Sequence, residues 1–290
     1  MCFSRIFIKL HIIPNVITFM SGIVGVAGGI LICFNNYLYT ILGVLLIILS
    51  VIFDECDGQV ARLTKHYSNF GRTLDGTMDF FVYFSIYIGL CVRLFNVNIP
   101  FTDTAWGYWI IPLAAIALWC FGAQARMLDY VKNLHMFMIK NGGGKSNELS
   151  RAKDVAEQRK NCKKFSFERF RLSMYLTYTK LQEKPTPKTQ KLLDTIEENG
   201  GEVPDRLSAD FKPQSRKNIK FANLLSFNPR TILLFILLLL PWNIEYLYFA
   251  FVIFALEPIR LILIRKYEKL AEQTLNKDYF VTTEEEKKTA

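Results

Sequence analysis

The chain has 290 residues, about half of them hydrophobic, and a formal net charge of +9. A soluble globular protein does not gather its apolar residues into repeated unbroken runs of about 18 or more, the length that spans a hydrocarbon core of ~30 Å. That class is excluded, and the basic excess calls for no nucleic-acid partner, because juxtamembrane Lys and Arg contact anionic lipid.

Residues 1–13, MCFSRIFIKLHII, alternate basic and apolar side chains and predict an interfacial helix before Pro14, which suits a helix start. Six spans are then predicted. They are Val16 to Phe34, Asn36 to Phe53, Gly71 to Val92, Trp106 to Gln124, a short one from Thr231 to Leu240 extended back to Phe227, and Ile244 to Ile264. In lipid each must be a helix, since every backbone group has to be satisfied inside its own segment. The expected fold class is all-α: a polytopic integral membrane protein with six transmembrane helices and an N-terminal interfacial helix. The first span is too long for a removable signal peptide, and no small-residue cleavage site leads into a soluble chain. Its Ser21, Gly22, Gly25, Gly28 and Gly29 make a small-residue face that predicts close helix packing rather than a ligand site.

The predicted organisation is a transmembrane domain of 1–140 and 227–268, a polar insert of 141–226 and a tail of 269–290. Within the insert, SFERFRLSMYLTYTKLQ predicts an amphipathic surface helix, whereas KPTPKTQ and GGEVPDRLSADFKP read as loops. The insert is expected to be cytoplasmic, partly ordered and without a catalytic part. Gly144-Lys145-Ser146 is a linker rather than a phosphate loop, because Ile139 stands where that loop needs a glycine. The six cysteines form no CxxC pair, and His11, His66 and His135 share no ligand spacing, so neither a disulfide framework nor a zinc site is expected. Lys and Arg fall in alternate links. Both termini, the link after the second span and the insert are therefore expected on the cytoplasmic side, in a bacterial inner membrane.

Between the second and third spans lies DECDGQVARLTKHYSNFGRTLDGTMD, from Asp54 to Asp79. Each carboxylate beside a bilayer costs at least about 2.5 kcal/mol unless something pairs with it. On a continued helix, Asp54, Asp57, Gly58, Ala61 and Arg62 share one face, and so do Gly71, Asp75 and Asp79 on the next. Glu55 falls off the shared face and reads as an ordinary solvated charge. A short turn at 63–70 lets the two faces oppose. Four converging carboxylates need a divalent cation, and hard oxygen ligands favour Mg²⁺, with Mn²⁺ or Ca²⁺ as alternatives. The glycines admit a bulky group, and Arg62 suits a phosphate. Two metal ions among carboxylates and phosphates are the equipment of phosphoryl transfer.

The stretch resembles the signature of the CDP-alcohol phosphotransferase family, D-x-x-D-G-x-x-A-R, eight residues, G-x-x-x-D-x-x-x-D. Every fixed position is met, by Asp54, Asp57, Gly58, Ala61, Arg62, Gly71, Asp75 and Asp79. Pro14-Asn15-Val16-Ile17-Thr18 is similar to the start of the family's first helix, and the family's six-helix core resembles the six spans. The resemblance implies transfer from a CDP-linked donor to a hydroxyl acceptor with release of CMP, and frequently a homodimer. It implies that Asp54, Asp57 and Asp75 hold metal, and that Asp79 both helps hold it and acts as general base. It further implies that Gly58, Ala61 and Gly71 leave room for cytidine and ribose, with Arg62 on the phosphates. Ala125-Arg126 resembles a basic K/R-A-R element of phosphatidylinositol-phosphate synthases, with Gln124 in place of the first basic residue. Arg126 is thus an acceptor-site candidate, against the alternative of a snorkelling arginine; Arg260, beside Glu257, is a second.

The expected donor is CDP-diacylglycerol, with inositol, inositol phosphate, glycerol phosphate or serine as acceptor. The alternative within the class is a soluble CDP-alcohol acting on a lipid acceptor. The alternative outside it is a divalent-cation transporter, which would want its acids near the bilayer midplane rather than at a helix end.

Overall fold

A computed structural model of the chain describes residues 2–9, 12–64, 69–139, 149–163, 166–277 and 279. Gly144-Lys145-Ser146, His11 and His66 lie outside them. Among the described residues the secondary structure is helical, with no strand beyond an isolated bridge of Asn98 with Ala105. Among the described residues, six helical stretches, some of them joined from two or more helices, are long and apolar enough to cross a membrane: Pro14–Ile32, Tyr37–Thr64, Leu74–Leu94, Gly107–Ile139, Asp205–Leu239 and Tyr246–Leu275. The chain is an integral membrane protein.

The helices are α1 (Cys2–Lys9), α2 (Pro14–Ile32), α3 (Tyr37–Thr64), α4 (Asn69–Leu94), α5 (Ile110–Ile139), α6 (Ala152–Lys160), α7 (Phe167–Glu183), α8 (Pro187–Glu198), α9 (Asp205–Ala222), α10 (Phe227–Leu239), α11 (Tyr246–Ala250) and α12 (Glu257–Leu275). Tertiary contacts group them into two compact units, Met1–Leu118 with Arg230–Phe251, and Trp119–Pro229 with Val252–Ala290.

In the first unit α2 packs against both α3 and α4. Its small residues are the reason. A Cβ added at Gly28 would lie 2.8 Å from the Gly43 carbonyl oxygen of α3, and one added at Gly89 of α4 would lie 2.6 Å from the Gly29 carbonyl oxygen. Backbones this close exclude any side chain, as the small-residue face predicts. Helix α1 docks on α3 through the Phe7 and Phe53 rings, 5.6 Å apart, and the Ser4 hydroxyl, which donates to Gln59 Oε1 at 2.7 Å. Exposed Phe101, Tyr108, Trp109 and Trp242 mark the ends of α4, α5 and α10, the arrangement expected of an interfacial aromatic belt.

At the ends of α3 and α4 remote from the aspartates, Arg93 Nε donates to Glu245 Oε1 at 2.7 Å and its Nη1 to Thr40 Oγ1 at 2.7 Å. Both charged side chains are buried, at 6% and 0% exposure. Removing one partner leaves the other charge stranded, which costs about 3–5 kcal/mol, whereas replacing both with apolar residues is often neutral. Glu245→Ala is therefore expected to lower the thermal midpoint in detergent sharply, and Arg93→Met with Glu245→Leu to restore most of it. A single variant that melts like the wild type would show that the pair contributes nothing.

In the second unit the insert is more helical than its composition predicts. KPTPKTQ is helical from Pro187, because Pro187 takes the first turn of α8, where no N–H is needed. The exposed N–H groups of that turn are met by a residue remote in sequence: Lys188 N and Thr189 N donate to the Glu268 carboxylate at 3.0 and 3.1 Å. GGEVPDRLSADFKP is helical from Asp205, with Pro213 inside α9. Helix α6 is capped similarly, its Ala152 N–H donating to Glu183 Oε1 at 2.8 Å. Arg151 ties α6 to α8 through Asp194 at 2.7 Å and Glu197 at 2.9 Å. The last span is also less regular than a continuous helix. Residues Phe251–Leu256 form a π-helical turn ahead of Pro258, which cannot donate to the turn before it and crowds its carbonyls. Helix α12 runs on to Leu275, into the stretch assigned to the tail.

Candidate active site

Helix α3 continues past its apolar run to Thr64, and α4 begins at Asn69, so the link is shorter than 63–70 and lies outside the described residues. The continuation puts the acidic residues on helices rather than in a loop. Asp54 and Asp57 on α3 and Asp75 on α4 each present a carboxylate oxygen within 4.8 Å of the others. Asp57 is buried, at 8% exposure, and Asp54 and Asp75 are half-buried. Asp79, one turn beyond Asp75 on α4, is exposed, and so is Glu55.

Three carboxylate oxygens this close, two on one helix and one on the next, repel one another unless a cation lies among them. The donor set is hard oxygen alone, with no thiol or imidazole in the group, and fits a divalent cation of the Mg²⁺, Mn²⁺ or Ca²⁺ kind. The family to which the sequence points is divalent-cation dependent, and the cluster can bind such an ion.

The surroundings leave one side open. Among the described residues, a Cβ added at Gly58 would meet only the Arg62 guanidinium, at 3.7 and 3.9 Å. The Arg62 side chain thus reaches back one turn over Gly58, and it is solvent-exposed. Ala61 is half-buried on the same helix. Gly71 lies in the first turn of α4.

One residue of this site was not assigned from the sequence. The Thr18 hydroxyl on α2, at 3% exposure, bonds the Asp57 carboxylate and lies 3.1 Å from the Pro14 carbonyl oxygen. With a single hydrogen to give, it favours the charged acceptor, which fixes the Asp57 side chain against α2. Thr18 closes the PNVIT motif that begins the span, but its partner lies 39 residues away. Nothing in the local pattern names that partner.

Arg126 and Arg260 come together in the second unit, in a small cleft also lined by Ala123, Met127, Leu181, Gln182 and Pro185. Arg260 is held by Glu257, at 2.9 Å from Nε and 2.5 Å from Nη2. Glu257 also accepts from Gln124 Nε2 at 3.1 Å, and the same amide nitrogen reaches the Val252 carbonyl of the π-helical turn at 2.9 Å. Gln124, the residue standing where a basic one was expected, is therefore fully buried structure. Leu181, Gln182 and Pro185 come from the insert, a contribution with no signal in the local pattern. Gln182 Nε2 donates to the Arg126 carbonyl at 3.2 Å and to Asp129 Oδ2 at 3.0 Å, and Tyr178 donates to that same oxygen at 3.2 Å. Burial, and then the Asp129 carboxylate, hold the Tyr178 phenol well above its ordinary pKa, so it remains a donor.

The fold defines a polytopic membrane protein, and the aspartate cluster on α3 and α4 is a group that could hold a metal ion. Residues 11–138 match the family model of CDP-alcohol phosphatidyltransferase, a stretch that contains α2, α3, α4 and most of α5. Residues 11–138 carry the domain of that family, whose members are CDP-alcohol phosphotransferases, and this supports an enzymatic role in lipid synthesis. The family implies a CDP-alcohol donor and a hydroxyl acceptor in a membrane. Neither the curated proteins nor the solved structures gave a match.

Proposed function

We propose that this enzyme transfers a phosphatidyl group from CDP-diacylglycerol to a hydroxyl acceptor and releases CMP. The observation that carries the reading is the convergence of Asp54, Asp57 and Asp75 beside Gly58, whose open side faces only Arg62. Asp54, Asp57 and Asp75 would hold divalent cations, two Mg²⁺ ions in this reading, with Asp79 as a further ligand. Bound there, the cations would draw charge from the donor's phosphates and favour departure of CMP. Gly58, Ala61 and Gly71 leave room for cytidine and ribose, and Arg62 hydrogen-bonds the phosphates through its planar fork. Asp79 takes the proton of the acceptor hydroxyl as its oxygen attacks the phosphatidyl phosphorus. The bond from that phosphorus to the CMP oxygen breaks, and CMP leaves with the electron pair.

Arg126 and Arg260 bind the acceptor. Arg260 is already paired with Glu257, whereas the Arg126 guanidinium has no partner among the described residues. That free charge favours the phosphorylated members of the acceptor set, inositol phosphate and glycerol phosphate, over inositol and serine. Gly122 supports the same side chain: a Cβ added there would crowd Arg126 Nη1 at 3.1 Å. The enzyme acts at the cytoplasmic face of a bacterial inner membrane, as the alternation of basic links suggests, and as a homodimer.

The test is CMP release by purified protein given CDP-diacylglycerol or CDP-choline with each acceptor in turn. Release is expected with CDP-diacylglycerol and a phosphorylated acceptor. Arg126→Ala should raise the acceptor's KM by about tenfold or more, the loss of one charge-assisted contact of about 1.5–3 kcal/mol, while leaving the donor's KM unchanged. Release with CDP-choline and a lipid acceptor alone would overturn the donor assignment. An unchanged acceptor KM would remove Arg126 from the acceptor site.

A further inference from the structure

Helix α7 has two faces, and only one is covered among the described residues. Leu172 and Leu176 are buried against Ala152 and Val155 of α6, and Thr179 and Gln182 are buried beside them at 1% and 7% exposure. At 3.6 residues per turn the opposite side carries Phe170, Met174 and Leu181, which cluster within about 40° of arc. Their exposures are 62%, 63% and 47%. The outward face of a helix bathed in water is polar; this one is mainly apolar, with exposed Thr177 beside the three apolar side chains.

Charge decides what covers it. Exposed Lys180 and Lys184 flank the apolar stripe on one side and half-buried Arg171 on the other. Lys180 and Lys184 have no acidic partner among the described residues. In a two-fold contact with a second copy the same patch meets itself, so these cations would oppose their own counterparts. A surface of lipid headgroups bearing negative charge complements them, and lysine stems can lie along apolar surface with their heads in water.

Depth agrees with this. Helix α5 begins at Ile110 and carries no charge until Arg126. At a rise of 1.5 Å per residue, Asp129 lies ~29 Å along the axis from Ile110, close to the ~30 Å of a hydrocarbon core. Tyr178 and Gln182 are bonded to Asp129 at 3.2 and 3.0 Å. The C-terminal half of α7 is therefore tied to α5 where α5 leaves the hydrocarbon.

We propose that α7 lies on the membrane surface, with Phe170, Met174 and Leu181 sunk among anionic lipids of the same bilayer and Lys180 and Lys184 on their headgroups. Leu181 also lines the Arg126–Arg260 cleft, so the seating of α7 in lipid sets one wall of that cleft. The surface stands independently of the substrate assignment.

The test places an environment-sensitive fluorophore on Met174→Cys, in full-length protein whose native cysteines are replaced by serine. The protein is held in nanodiscs of phosphatidylglycerol, with a label on exposed Glu198→Cys as control. The Met174 probe should be quenched by doxyl-labelled lipid and protected from iodide; the Glu198 probe should show the reverse. Adding Lys180→Glu and Lys184→Glu should cut the lipid quenching at position 174 by half or more. Iodide quenching at position 174 with no effect of doxyl lipid would overturn the proposal. So would protection from both quenchers that vanishes when each disc holds one copy, since that result assigns the face to a second chain.

Discussion

Asp54→Ala, Asp57→Ala and Asp75→Ala are each expected to abolish CMP release, while Glu55→Ala leaves most of it. The three aspartates present oxygens within 4.8 Å of one another, and a small hard cation demands near-ideal oxygen geometry at about 2.0–2.1 Å. Loss of one ligand of three is not made good by water when the remaining two sit on helices packed against α2. Stability separates this effect from misfolding. In the metal-free protein the carboxylates repel one another, so an alanine at Asp54 or Asp75 should leave the thermal midpoint unchanged or raise it, whereas at Asp57 the lost Thr18 hydrogen bond offsets that gain. Mg²⁺ should raise the midpoint of the wild type, because it binds the folded state, and should fail to do so for the three variants. An Asp57→Ala protein that kept the full Mg²⁺-dependent rise would remove Asp57 from the ligand set. A Glu55→Ala protein as inactive as Asp57→Ala would break the helical-face reading, since Glu55 is exposed and off that face.

Asp79→Asn is expected to bind the CDP-linked donor nearly as well as wild type and to turn over at least ~100-fold more slowly, the lower end of what a positioned general base contributes. Asp79 stands one turn beyond Asp75, outside the three-residue cluster, and is exposed. A carboxylate there is accessible to an acceptor's proton in a way that buried Asp57 is not. Asparagine keeps the size and one ligand oxygen but cannot take the proton. Donor binding by calorimetry and single-turnover CMP release distinguish the outcomes. Near-normal turnover would exclude the base role. Loss of donor binding would make Asp79 chiefly a metal ligand, with the base to be found elsewhere.

The membrane class and the acidic stretch are local properties, and the sequence alone determined them. Runs such as Asn36 to Phe53 have one stable form in lipid, so composition decides helix and span together. The spacing of Asp54, Asp57 and Gly58 fixes their common face once the helix continues, and it does continue to Thr64. The small residues of α2 announced close packing for the same reason: a missing side chain is visible in the sequence.

What the sequence could not decide were the pairings between distant residues. The loop reading of KPTPKTQ failed because the cap that stabilises α8 is Glu268, brought from the far end of the chain. Thr18 looked like part of a helix start, and only the packing of α2 against α3 makes it the hydrogen-bond partner of Asp57. Arg93 and Glu245 stand 152 residues apart, and only the fold buries them together. The insert read as partly ordered and without a catalytic part, and only the packing shows that its Leu181, Gln182 and Pro185 line the arginine cleft. Local steric and solvation rules act over a few residues and can be read in order along a chain. Hydrogen bonds and charges are satisfied by whatever the fold brings within about 3 Å, and that depends on the packing of helices far apart in sequence.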